Sequence, residues 1–104
     1  MLLVYITCKN KKEAQKIGLA LLKKRLVGCS LVIPHATSFY WWPPKKNKIE
    51  KSREAVLLVK TLEKKFPRLE REAKKLHSYT VPCILALPVA KINKDYLVWL
   101  RKEI

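Results

Sequence analysis

The amino-acid sequence predicts an α+β fold of order β-α-β-β-α-β with an extra helix at the C-terminal end, and three observations carry that expectation. Short apolar runs rich in β-formers stand near both ends of the chain, around Val4 and around Leu85. Two stretches with apolar residues three and four apart, around Ile17 and around Leu69, read as amphipathic helices. Between those stretches, a long β-branched and aromatic segment, a proline-rich turn and a second apolar run read as an extended hairpin.

Residues 2–7 are apolar and bounded by Lys9-Asn10-Lys11-Lys12, so they form a buried strand that ends in a loop. Asn10 stands three residues before Glu13, the spacing of a helix cap. Ala14, Ile17, Gly18, Leu21 and Leu22 then mark one face of a helix, Lys16, Lys23 and Lys24 take the other, and Gly28 is expected to end it. Residues 29–42 form a long strand with a kink or bulge at Pro34. Pro43 to Asn47 turn the chain, and residues 49–61 return as its hairpin partner. Leu62, Phe66, Leu69, Ala73 and Leu76 make the next helical stripe, with Pro67 tolerated only in the first turn. Residues 81–89 give a last strand with prolines near both ends, and Asn93 caps a helix that buries Tyr96, Leu97, Leu100 and Ile104. The order is the split βαβ arrangement of a ferredoxin-like sandwich, here a single domain over residues 1–104.

At 104 residues with 49% hydrophobic content, the chain has material for one core, which excludes a wholly disordered segment. No apolar run approaches a membrane span. The outlier is charge: 23 Lys and Arg against 8 Asp and Glu give +15, which invites a nucleic-acid or polyanion partner. The cations are spread over every segment, so a generally basic surface accounts for them as well as a binding stripe does. Cys8, Cys29 and Cys83 are odd in number and widely spaced, which points to neither a disulfide framework nor a zinc knuckle and fits a reducing cytoplasm.

Only two glycines, Gly18 and Gly28, are present, so no glycine-rich phosphate loop exists. A single Asp and scattered Glu residues give poor support to a paired-carboxylate hydrolase. Cys29 and Cys83 lie among apolar strand residues and are expected to act as small buried hydrophobes. Cys8, beside Lys9 and Lys11, is the best candidate for a reactive or metal-binding thiol. His77 stands at a helix C-terminus, where it either satisfies the last carbonyls or serves as a ligand. The hairpin strands are longer than the outer ones and carry Phe39, Tyr40, Trp41 and Trp42 near the tip, an edge that a second subunit would protect.

In order and spacing, Lys24-Arg25-Leu26-Val27-Gly28-Cys29, Ser38-Phe39-Tyr40-Trp41-Trp42, Leu57-Leu58-Val59-Lys60-Thr61, His77-Ser78-Tyr79-Thr80-Val81-Pro82 and Asp95-Tyr96-Leu97-Val98-Trp99-Leu100 resemble the CutA divalent-cation tolerance family over essentially the whole chain. The resemblance implies a homotrimer of ferredoxin-like protomers, similar in architecture to the PII signalling proteins, with hairpins pairing across subunits. It also implies tolerance of copper or other divalent cations, a cytoplasmic location and no established catalysis. Its intersubunit clefts map here to Cys29, Tyr40, Trp42, Lys60, His77 and Tyr79, with Cys8 and His77 as the candidate metal ligands. Two acidic positions of the family motif are Thr80 and Cys83 here, so two oxygen donors are missing. Polyanion binding, with Trp41 and Trp42 as stacking platforms, is the alternative function. An enzyme using His77 or Cys8 is the third.

Overall fold

The computed structural model describes all 104 residues, Met1 to Ile104. The elements are β1 (Leu2–Cys8), α1 (Lys11–Lys23), β2 (Cys29–Trp41), β3 (Ile49–Thr61), α2 (Phe66–Leu76) entered through one 3-10 turn, β4 (Ile84–Pro88) and α3 (Lys94–Glu103). The strands form one antiparallel sheet of order β2-β3-β1-β4, as the ferredoxin-like reading requires.

Alternation builds the inner face. Val4, Ile6 and Cys8 of β1 and Ala55, Leu57 and Val59 of β3 are fully buried, and they pack with Ala14, Ile17 and Leu21 of α1 and Leu69 and Ala73 of α2. Each such Leu or Ile contributes about 1.5–3 kcal/mol by leaving water. The buried Thr61 hydroxyl is satisfied by the Leu26 carbonyl at 2.6 Å. Asn10 caps α1 as expected, accepting the Glu13 N–H at 2.9 Å. Asn93 occupies the cap position of α3 but its side chain makes no capping bond; its backbone carbonyl accepts the Leu97 N–H instead.

The other sheet face carries no helix. Leu31 and Ile33 of β2 stand opposite Leu58 and Val56 of β3, while Leu85 and Leu87 of β4 stand opposite Tyr5 and Leu3 of β1. Leu31, Ile33, Leu85 and Leu87 are all exposed, so an apolar carpet crosses the whole sheet. Because β1 meets only Ala55–Thr61 of β3, the remainder of β2 and β3 runs on as a two-stranded ribbon, which gives the molecule its 47 Å long axis.

At Pro34–His35 the ladder shifts register. Ile33 pairs with Val56, but Ala36 pairs with Glu54, so three residues of β2 are matched by two of β3. His35 takes φ 63 in this bulge. Pro34 supplies no ladder donor, which is why the irregularity falls there. Side chains of β2 reverse face across it: odd positions share the open face before the bulge, and Ser38 and Tyr40 share it afterwards.

Three expectations are corrected. The helix α1 ends at Lys23, not at Gly28, and the left-handed turn is made by Arg25 at φ 57, whose guanidinium is held by Glu103 at 2.7 Å. Gly28 matters for a different reason: a Cβ there would stand 2.3 Å from Leu100 Cδ1, so any larger residue would push the buried Leu100 side chain out of its place under α3. The last strand is shorter than residues 81–89, because Val81 and Pro82 lie in the irregular segment before it, and Cys83 is exposed rather than part of the core. Gly28→Ala is expected to destabilise the fold by about 1–3 kcal/mol through overpacking, read as a lower urea midpoint at unchanged slope.

Candidate functional site

A cavity of about 530 Å³ opens where the ribbon leaves the sheet, between β3, the overhanging part of β2 and the segment after α2. Thr7, Ser38, Tyr40, Trp42, Glu54, Ser78, Tyr79, Thr80, Val81 and Cys83 line it. Tyr40 and Ser38 reach it because of the bulge, and the Tyr40 hydroxyl bonds Ser52 Oγ at 2.7 Å. Glu54, only 7% exposed, receives the Tyr79 hydroxyl at 2.7 Å. Burial and the adjacent Glu54 carboxylate push the Tyr79 phenol well above its ordinary range, so it remains a hydrogen-bond donor.

Tyr79 is placed by a buried clasp. The His77 ring lies 2.7 Å from the Thr7 carbonyl through Nε2 and accepts the Tyr79 N–H at Nδ1, 3.1 Å away. An imidazole protonated at Nε2 alone satisfies both partners. The His77 and Tyr79 rings also pack at 4.8 Å. Glu13 completes the clasp: its two carboxylate oxygens accept the Lys9 N–H at 3.0 Å and the Ser78 N–H at 3.1 Å. Burial would raise the Glu13 carboxyl, but hydrogen bonds from Ser78 and Lys9 outweigh it and hold the group below the usual carboxylate range.

The candidate metal ligands converge without being open. Donor atoms of Cys8, Glu13 and His77 lie within 4.8 Å of one another, and all three residues are buried. These donor types suit copper or zinc. As folded, however, both nitrogens of His77 and both oxygens of Glu13 are already bonded, and no buried side-chain polar atom is left without a partner. Cys8 corrects the sequence reading most clearly. It points into the core, Lys9 and Lys11 are exposed beyond the strand end, and burial together with Glu13 and Glu54 pushes its thiol up to about 12. The arrangement is a hydrogen-bonded clasp, and a metal would have to displace its bonds.

Of the six cleft residues, the structure brings Tyr40, Trp42 and Tyr79 to the cavity and sets His77 behind it as the support for Tyr79. It does not bring Cys29 or Lys60 there. These two are paired at the opposite end of the hairpin, where the Lys60 ammonium lies 4.9 Å over the Tyr96 ring. Thirteen extended residues span about 40 Å, so one chain holds the set as two separate halves. His77 does not satisfy the last carbonyls of α2 with its ring, which turns to β1 instead. Glu54 was missed from sequence, although period-two alternation from Val56 and Leu58 puts it on the open face, directly beyond that apolar run.

The chain is a ferredoxin-like protomer with an uncovered apolar sheet face and, beside it, a cavity of about 530 Å³ lined by aromatic rings and one carboxylate. The profile of the CutA1 divalent ion tolerance protein family matches residues 2–103. The divalent-cation tolerance protein CutA of Thermus thermophilus is 42% identical over 100 residues, covering 96% of this chain and 94% of its own. Its solved structure superposes with a TM-score of 0.92 over 99% of this chain and 98% of its own, and CutA1 of Pyrococcus horikoshii, at 38% identity, with 0.91 over 99% and 97%. A relative from Archaeoglobus fulgidus, 38% identical with a TM-score of 0.92 over 99% of this chain and 98% of its own, is described as a periplasmic divalent cation tolerance protein. The chain belongs to the CutA1 divalent ion tolerance family.

The clasp has a pH signature. Because the folded Glu13 carboxyl ionises at lower pH than the unfolded one, its stabilisation is present above the unfolded value and is lost as pH falls through the folded one. Glu13→Gln is expected to cost about 1–3 kcal/mol at neutral pH. Thermal unfolding followed into acid should show the gap from wild type shrinking below about pH 4; a gap independent of pH would contradict this assignment.

Proposed function

We propose that the protein is a homotrimeric, non-catalytic binding protein of the divalent-cation tolerance response, which takes a metal ion or a small ligand in clefts formed between subunits. One observation carries the reading: Cys29 and Lys60 sit at the base of the hairpin, about 20 Å along β3 from the Glu54 end of the cavity that Tyr40, Trp42 and Tyr79 line, and a neighbouring copy is the simplest way to rejoin them. The apolar sheet face supports association through the same surface, since Leu31, Ile33, Leu85 and Leu87 are left exposed on its two outer strands with no helix to cover them. The threefold number and the PII-like arrangement rest on the family resemblance. Three unpaired cysteines are compatible with a cytoplasmic location, and no helix is long and apolar enough to cross a membrane.

Copper or another divalent cation at Cys8 and His77 is the metal form of this reading, favoured by the family name and by the convergence of donors with Glu13. It requires the segment after α2 to release His77 from Thr7. Polyanion binding is the second reading, favoured by the +15 charge.

Sedimentation of the full chain at two salt concentrations, with bound-metal analysis after copper exposure, separates these. A salt-stable trimer that Ile33→Asp converts to monomer supports the proposal, and copper retained by wild type but not by Cys8→Ala supports its metal form. A monomeric wild type would contradict it, and copurifying nucleic acid released by salt would favour the polyanion reading.

A further inference from the structure

Glu54 is the feature that the clasp and the sheet do not explain. It is a buried carboxylate in a chain of 23 cations, yet it takes part in no ion pair and its bonded partner is the neutral Tyr79 hydroxyl. A buried charge is costly unless something compensates it. The wall beside it is aromatic: Tyr40, Trp42 and Tyr79 line the same cavity. Ring faces carry the negative end of the aromatic quadrupole, so a cavity lined by three aromatic residues and one carboxylate favours positive charge.

The chemistry of the walls selects the kind of cation. Hard metal ions such as magnesium or calcium need several oxygen donors in a closed shell, and the cavity offers one carboxylate with scattered hydroxyls of Thr7, Ser38 and Thr80. An alkylammonium group needs less. Its charge is spread and weakly hydrated, its methylene or methyl groups pack on rings, and one carboxylate balances it. The volume of about 530 Å³ is in the range that holds small organic ligands. The net charge of +15 opposes cations only at long range, since salt screens exposed charge beyond about 8 Å while Glu54 acts at contact.

We propose that the cavity lined by Glu54, Tyr40, Trp42 and Tyr79 is a binding site for an alkylammonium group. This narrows the small-ligand form of the function proposed above and rests on it. The ammonium has two sources: a free organic amine, or a lysine side chain of a second copy of this chain.

The test uses choline as the free cation and neohexanol as its uncharged isostere, titrated calorimetrically into the full chain at fixed ionic strength, with sedimentation run on the same samples. Saturable choline binding, absence of neohexanol binding, and a loss of about tenfold in choline affinity in both Glu54→Gln and Trp42→Leu support a free-amine site. Glu54→Gln keeps an acceptor for Tyr79, and Trp42→Leu lies on an exposed wall, so loss of folding in one variant leaves the other to decide. If choline fails to bind and Glu54→Gln dissociates the assembly, the ammonium is a neighbour's lysine and the site stands with that source. Equal binding of choline and neohexanol, or an unchanged Glu54→Gln in both measurements, overturns the proposal. A wild type that sediments as a monomer contradicts the trimer, whereas the choline titration still decides the site.

Discussion

At Pro34–His35 the β2–β3 ladder gains one residue on the β2 side, and every β2 side chain beyond that point changes face. Before the bulge, Leu31 and Ile33 extend the apolar carpet of the open sheet face; after it, Ser38 and Tyr40 take their place on that face beside Ser52 and Glu54. Without the shift, Thr37 and Phe39 would line the cavity and Tyr40 would face away. One register change thus divides a continuous hairpin into a half that extends the apolar sheet face and a half that lines the cavity. The shift falls at a proline, which has no N–H to give to the ladder and is found in strands at edges and bulges.

The cavity depends equally on the clasp beneath it. The segment from His77 to Tyr79 has no regular structure of its own, so its position comes from side chains: His77 between Thr7 and Tyr79, and Glu13 across Lys9 and Ser78. These bonds join the end of β1, the start of α1 and the exit of α2, three points that the sheet and helices have already brought together. Bonds to a carboxylate are worth about 1.5–3 kcal/mol, enough to hold Tyr79 against Glu54 without a metal. Reactive chemistry in the clasp is opposed by the same burial that makes it stable, since the Cys8 thiol is held far from its nucleophilic form.

Much of this was legible in the sequence because it follows from periodicity. The strand and helix order, the Asn10 cap, the ribbon overhang and the bulge at Pro34 each have a local signature. What escaped was set by contacts distant in sequence. Arg25 rather than Gly28 makes the left-handed turn because Glu103 anchors its side chain and Leu100 needs the space over Gly28. Cys8 looked reachable because lysines follow it in sequence, but strand alternation aims it into the core and sends those lysines to solvent. Glu54 drew no notice because its meaning comes from Tyr79, twenty-five residues away. Cys29 and Lys60 belong with the aromatic residues only by resemblance to the family, and a single chain keeps them apart.

The central claim is that the two halves meet between subunits. Zero-length carbodiimide coupling tests it directly, because Lys60 and Glu54 are six residues apart along β3, about 20 Å, and cannot be joined within one chain. The account predicts covalent dimers and trimers whose digests contain peptides joining the Lys60 end of one hairpin to the cavity segment of another, Lys60–Glu54 itself where a neighbour's lysine fills the cavity. Carbodiimide treatment that yields only uncoupled monomers, or oligomers with no link between the Lys60 end and the cavity segment, would contradict it.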